Sequence, residues 1–152
     1  MDIIIKQTDN IDLLIEWRIE VLREVFSIPK EASTDSLKAA NLDYYKSALE
    51  NGSHVACFAY CDEEIAGCGG MCLYNEMPSP DNPSGKCAYL MNIYTRPEFR
   101  KKGIAKKTVG WLIDKAIEQG ITKIYLETSD AGRRLYHDMG FVAMRDQMQL
   151  AL

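Results

Sequence analysis

Several common frameworks are missing from this sequence. No stretch approaches the roughly 18 consecutive apolar residues that a membrane-spanning helix needs, so no membrane partner is expected. The opening residues, Met1-Asp2-Ile3-Ile4-Ile5, lack the basic segment and long apolar core of a secretory signal, and a cytoplasmic location is the expectation. Positive charge is not in excess: 18 Lys and Arg stand against 22 Asp and Glu, for a formal net charge of −4. Nucleic acid and anionic lipid both ask for a basic face, so neither is expected as the main partner. The phosphate-binding patterns GxGxxG and GxxxxGK[ST] are both absent. So is any repeat or low-complexity segment, and 152 residues suit a single domain spanning 1–152.

Metal and disulfide frameworks are missing too. The five cysteines are Cys57, Cys61, Cys68, Cys72 and Cys87, an odd number with no CxxC pair. Cys57 and Cys61, like Cys68 and Cys72, are four apart, which in a strand places both on one face. They read as small buried side chains in a reducing compartment, and no metal site is expected.

What is present is a mixed pattern of elements. A β-branched run at 3–6 predicts a strand. Thr8-Asp9-Asn10 offers capping side chains before an apolar stripe at Ile11, Leu14, Ile15, Val21, Leu22, Val25 and Phe26, which predicts a helix ended by Pro29. Arg18 falls in the middle of that stripe. A second helix follows a cap at 33–36 and stops at Asn51-Gly52. Segments 54–61 and 64–74, joined at Asp62-Glu63, predict an antiparallel hairpin whose second strand carries Gly67, Gly69 and Gly70, suggesting a bulge or close backbone approach. The three prolines of 75–85 predict a surface loop. A strand at 87–95, a helix at 103–119, a strand at 123–128, a short helix at 130–139 and a last strand from Phe141 complete the order β-α-α-β-β-β-α-β-α-β. That order predicts a mixed sheet with helices on both faces.

The informative segment is Ile93-Tyr94-Thr95-Arg96-Pro97-Glu98-Phe99-Arg100-Lys101-Lys102-Gly103-Ile104-Ala105-Lys106. A strand runs through a basic, glycine-containing turn into a helix. The first turn of a helix leaves backbone N–H groups unpaired and aligned, which favours an anion such as phosphate. Gly103 permits close approach, Ala105 keeps the space clear, and Lys101, Lys102 and Lys106 add charge. The alternative is an ordinary connection with solvated lysines.

Arg100-Lys101-Lys102-Gly103-Ile104-Ala105 resembles the [RQ]-x-x-G-x-[GA] signature of the GCN5-related N-acetyltransferases (GNAT), with Pro97 three residues before it. Leu135-Tyr136-His137-Asp138-Met139-Gly140-Phe141 resembles the family's L-Y-x-x-x-G-F element. The resemblance covers nearly the whole chain. It implies an α+β GNAT fold with a mixed, mostly antiparallel sheet of six to seven strands, and transfer of acetyl from acetyl-CoA to a primary amine of a small molecule or peptide. It further implies that the turn Arg100–Lys106 holds the CoA pyrophosphate, mainly through backbone amides. Pantetheine would lie along Ile93, Tyr94 and Thr95, in a gap where that strand splays from its neighbour. Tyr136 would protonate the departing thiolate, or else serve only as a core wedge. Ser129 stands where the family usually has asparagine and could still bond pantetheine.

For the base, Glu127 is the candidate, the alternatives being a structural glutamate or an ordered water held by Asn92 and Tyr94. Arg18 could bind a carboxylate of the acceptor, or simply pair within the protein. Trp17, Tyr44, Tyr45, Tyr74 and the 75–85 loop could line or cover the acceptor pocket. His137 is read as exposed or structural, and Trp111 as helix surface or a subunit contact. Two other readings stand beside the first: a CoA-binding sensor without transferase activity, and a protein N-terminal or lysine acetyltransferase. The resemblance also admits a homodimer.

Overall fold

The computed structural model describes residues 1–152. Strand β1 (Ile3–Thr8) leads into helices α1 (Ile11–Val25) and α2 (Asp35–Asn51). Strands β2 (His54–Cys61), β3 (Glu64–Asn75) and β4 (Lys86–Thr95) come next. After a 3-10 turn at Pro97–Phe99 come helix α3 (Ile104–Glu118), strand β5 (Lys123–Leu126) and helix α4 (Asp130–Asp138). The sheet runs β1-β2-β3-β4-β5, antiparallel as far as β4, with β5 parallel to β4. No helix is long and apolar enough to cross a membrane.

Local chemistry sets the boundaries. Asn10 accepts the Leu13 N–H at 3.2 Å and starts α1. Gly52, at φ +77°, ends α2 in the left-handed conformation that favours glycine. Asp62 and Glu63, at φ +49° and +78°, form the two-residue link between β2 and β3, and positive φ at both positions matches the right-handed twist of a hairpin.

The sheet is covered on both faces, and β2 shows how. Ala56 and Phe58 point to one side, into a cluster with Leu14, Trp17 and Val21 of α1 and Tyr45 of α2. Val55 and Cys57 point to the other, into a cluster with Val109, Leu112 and Ala116 of α3. This is the period-two alternation of a strand with two apolar faces. On β3, small residues let the neighbours close in. A Cβ on Gly67 would sit 2.5 Å from the Tyr94 carbonyl oxygen, and one on Gly69 would sit 2.7 Å from the Thr108 methyl of α3.

Two expectations need correction. The sheet has five strands, not six to seven, because no strand forms after Phe141. Phe141 itself stays docked, its N–H on the Tyr136 carbonyl at 3.0 Å and its ring 5.8 Å from that of Tyr136. Residues 142–152 are exposed and make no hydrogen bond within the chain. Val142 is the only β-branched residue in a segment of Met, Gln, Ala, Arg, Asp and Leu, and the open edge it would pair with is only as long as β5. Second, β5 ends at Leu126, so Glu127 and Thr128 lie beyond the strand.

Candidate functional site

The site begins where β4 meets α3. The backbone N–H groups of Lys101, Lys102, Gly103, Ile104, Ala105 and Lys106 find no acceptor in the chain, the first helical bond here being Lys107 N–H to the Gly103 carbonyl at 3.1 Å. Positive φ at Lys101 (+62°) and Gly103 (+81°) curls this stretch into a concave row of donors, the geometry of an anion-binding nest at a helix N-terminus. A Cβ on Gly103 would meet nothing within 4 Å, so here the glycine serves the backbone angle, and the space above the turn is open. Lys101, Lys102 and Lys106 are exposed and hold no carboxylate. The Arg100 side chain is turned away. Its Nε donates to the Thr95 carbonyl at 2.9 Å, and its Nη2 bonds both Glu24 carboxylate oxygens at 2.9 Å. Arg100 therefore ties the turn to α1, and its side chain does not join the row of unpaired N–H groups.

Upstream, β4 parts from β5. The two strands pair only from Cys87↔Lys123 to Leu90↔Leu126, so Met91 to Thr95 have no partner on that side. On the other side β4 stays bonded to β3 through Thr95, with a bulge opposite Gly69 where Asn92 takes φ +59°. The expected splay is thus present. Ile93, Tyr94 and Thr95 lie along it, and the Thr95 hydroxyl is a buried oxygen without a hydrogen-bond partner.

Along the open edge of β5, walled by α4 and the chain after Phe141, lies a groove of about 920 Å³ whose lining includes Ile124, Leu126, Glu127, Tyr136, Met139 and Phe141 but no residue of β4. Tyr136 is half-buried among apolar neighbours, and burial raises its pKa above the ordinary tyrosine value. Its hydroxyl makes no hydrogen bond within the chain, so its proton is uncommitted. Glu127 is exposed and close enough to Tyr89 to help burial raise that residue's pKa. The structure therefore brings Tyr136 and Glu127 to one groove. Ser129 caps α4 without a side-chain bond, and it is Thr128 rather than Ser129 that lines the groove.

Arg18 lies across the sheet, on the α1 face. Its Nη1 donates to Asn92 Oδ1 at 3.0 Å and its Nε to Asn41 Oδ1 at 3.2 Å. Near it, the Tyr44 hydroxyl bonds His54 Nδ1 at 2.7 Å and Cys72 Sγ at 3.0 Å. Burial, and secondarily the charge of Arg18, lower the His54 pKa to about 4. Burial raises that of Tyr45 to about 12, a shift that Arg18 opposes. Tyr44, Tyr45 and His54 are therefore neutral near pH 7.

Several expected pocket walls are core instead. Trp17 is buried under Arg96, whose guanidinium lies 4.1 Å from the ring centroid and also bonds Glu20, and Tyr45 is buried beneath α2. The 75–85 loop packs at the other end of β4 from the turn. There Glu76 holds Lys123 at 3.2 Å, and Tyr74 bonds Tyr125. It does not cover the turn before α3. His137 is exposed. Glu20, Glu24, Asn41 and His54 were missed from the sequence. The regular placement of Glu20 and Glu24 one turn apart on α1 was the signal available for the first two.

The description Acetyltransferase (GNAT) family matches residues 16–141 of the chain. The chain belongs to the GNAT family. Among curated proteins none matches closely. Among solved structures, a predicted acetyltransferase from Clostridium acetobutylicum, crystallised with acetyl-CoA, aligns over 99% of this chain and 96% of its own with a TM-score of 0.85 and 25% identity. A GCN5-related N-acetyltransferase from Ralstonia eutropha JMP134 covers 99% of each chain at TM-score 0.83 and 20% identity. A glucosamine-6-phosphate N-acetyltransferase from Arabidopsis thaliana covers 99% of each at TM-score 0.74 and 21% identity. The last two share the GNAT fold, and the family membership carries acyl transfer as the general activity.

Proposed function

We infer that this GNAT protein transfers an acetyl group from acetyl-CoA to a primary amine of a small molecule or peptide, by direct attack in a ternary complex. The observation that carries this reading is the row of unpaired N–H groups from Lys101 to Lys106 at the end of a strand that has left its neighbour. A pyrophosphate suits the row, and an extended amide chain suits the unpaired edge of Met91 to Thr95, adding hydrogen bonds like a further strand. Acetyl-CoA, when bound, supplies an activated acyl thioester.

The protein's own groups then divide the work. Backbone N–H groups of the unpaired β4 segment polarise the acyl carbonyl, a preorganised electrostatic effect. The Tyr136 hydroxyl, with its raised pKa and no competing acceptor, gives its proton to the departing sulfur. Glu127, or a water beside Asn92, takes the proton the attacking amine must lose. Tyr136 packs with the α3 cluster and Arg18 with the α1 face, so the split between β4 and β5 connects a leaving side to an attacking side. Five unpaired thiols support a reducing, cytoplasmic setting.

Calorimetric titration with acetyl-CoA tests the reading, comparing wild type with a Lys102→Glu, Lys106→Glu variant. Binding by the wild type, weakened at least tenfold in the variant, is the expected result. Absence of binding by a folded wild type refutes it. Binding without thiol release across a broad amine panel would instead mark a sensor.

A further inference from the structure

Arg18 differs from the other cations around the site. Arg96 is matched by Glu20 at 3.1 Å, Arg100 by Glu24 at 2.9 Å and Lys123 by Glu76 at 3.2 Å. Arg23 donates to the carbonyls of Pro29 and Ala32 at 2.7 Å and 3.0 Å. Arg18 is half-buried and has no carboxylate within 4.0 Å. Helix spacing explains why. The residues three and four positions away on α1 are Leu14, Ile15, Val21 and Leu22, while the helix's own acids Glu20 and Glu24 are turned to Arg96 and Arg100.

Its two protein partners are amide oxygens, which orient a guanidinium without neutralising it. Asn41 is itself fixed, its Nδ2 donating to the Leu37 carbonyl at 2.8 Å, so that its Oδ1 faces Arg18. Nη2 makes no hydrogen bond and is not sealed from solvent. Tyr44, Tyr45, His54 and Cys68, the titratable groups whose pKa the Arg18 charge shifts, offer no negative charge near pH 7. A positioned, half-desolvated cation with open donors and no internal counter-charge favours an anionic ligand group, because such a charge is costly to leave unpaired. Through Asn92 the guanidinium reaches the bulge of β4, two residues past the last β4–β5 pair at Leu90.

We propose that Arg18, held by Asn41 and Asn92, is the anion subsite of the acceptor pocket, so that the amine substrate carries an oxyanion, a carboxylate or a phosphate, beside its amino group. This rests on the acetyl-transfer reading and specifies its substrate class. Asn41 and Asn92 act as positioning residues, and Arg18 as the group that touches substrate.

The test follows acetyl-CoA consumption with matched acceptors: a pool of amino acids and dipeptides against the same pool amidated at the carboxyl, and 2-aminoethyl phosphate against 2-aminoethanol. Wild type should favour the acid of one pair by on the order of tenfold or more, expressed mainly in KM. The first pair marks a carboxylate source and the second a phosphate source. In Arg18→Gln the ratio should fall towards one, and Arg18→Lys should restore part of it. Asn41→Asp keeps Arg18 but gives it an internal anion, so it should raise thermal stability while abolishing the preference. A purely structural Arg18 would give the first effect without the second. Thermal melts with the same acids in the absence of acetyl-CoA read anion binding independently of transfer. If wild type shows neither a preference nor stabilisation by either acid, or if the preference survives in both Arg18→Gln and Asn41→Asp, the proposal is overturned. A failure of acetyl-CoA binding would instead strike the transfer reading.

Discussion

At the scale of single residues, burial moves several titratable groups away from their ordinary pKa values. His54 is held neutral by burial, and to a lesser degree by Arg18, with its pKa lowered to about 4. Because the folded value lies below the ordinary 6.5, the unfolded chain binds more protons between the two. Stability is fully present above about pH 6.5 and falls as pH drops toward 4, by on the order of 3 kcal/mol. Thermal melts from pH 7.5 to 4 should show this slope, and His54→Asn should flatten it. Tyr136→Phe should fold normally and bind acetyl-CoA, while kcat falls on the order of a hundredfold, the range for a lost general acid; a rate unchanged within twofold would reduce Tyr136 to a packing role. Tyr136 was legible as a candidate because a local motif carried it, and the structure places its side chain in the groove beside β5. Arg18 was legible as an anomaly, a charge on an apolar stripe. Its partners were not, since Asn41 and Asn92 lie 23 and 74 residues away in sequence and only the fold brings them together.

At the scale of elements, α1 is fastened to the turn before α3 by two ion pairs of two hydrogen bonds each, Glu20 to Arg96 and Glu24 to Arg100. These pairs are partly exposed, so each is worth only a fraction of a kcal/mol to about 1 kcal/mol. Glu24→Gln should therefore change stability little. It should weaken acetyl-CoA binding more, because Arg100 also holds the Thr95 carbonyl and so the shape of the turn; calorimetry on the variant checks this. Strand β3 is less forgiving. Gly67→Ala places a methyl 2.5 Å from the Tyr94 carbonyl oxygen and should destabilise by about 1–3 kcal/mol in urea unfolding, while disturbing the splayed strand directly. The helices and the hairpin were readable from periodicity, capping and the two-residue turn. The strand expected after Phe141 was only partly a matter of local pattern, since the segment is poor in β-branched residues and the open edge of β5 is short. Apolar residues alternate at Val142 and Met144 and again at Met148, Leu150 and Leu152, with Asp146 between, but a strand also needs a partner, and that requirement has no signature in the segment itself.

At the scale of the molecule, the packed body ends at Phe141, and residues 142–152 share none of its hydrogen bonding. Met148 and Leu152 are fully exposed. Limited trypsin digestion should cut first after Arg145, and the remaining body should keep its melting temperature within a few degrees, as mass spectrometry and thermal melts would show. The overall plan was legible in the order of elements and in two short motifs, since both are local records of a fold. The depth of the α1 face was not, because Trp17 and Tyr45 look the same in sequence whether they wall a pocket or fill a core.

The arrangement of thiols has a practical consequence for the bench. Cys57, Cys61, Cys68 and Cys87 are buried to 6% exposure or less, and burial raises the pKa of Cys57 to about 12. Cys72, beside Tyr44, is the accessible one. A thiol-reactive chromogen added to the native protein should therefore register close to a single equivalent, rising to all five in denaturant. The same reagent detects released CoA. Turnover can then be read continuously against a small, constant blank, and any sudden growth of that blank reports that the enzyme is unfolding in the cuvette rather than working.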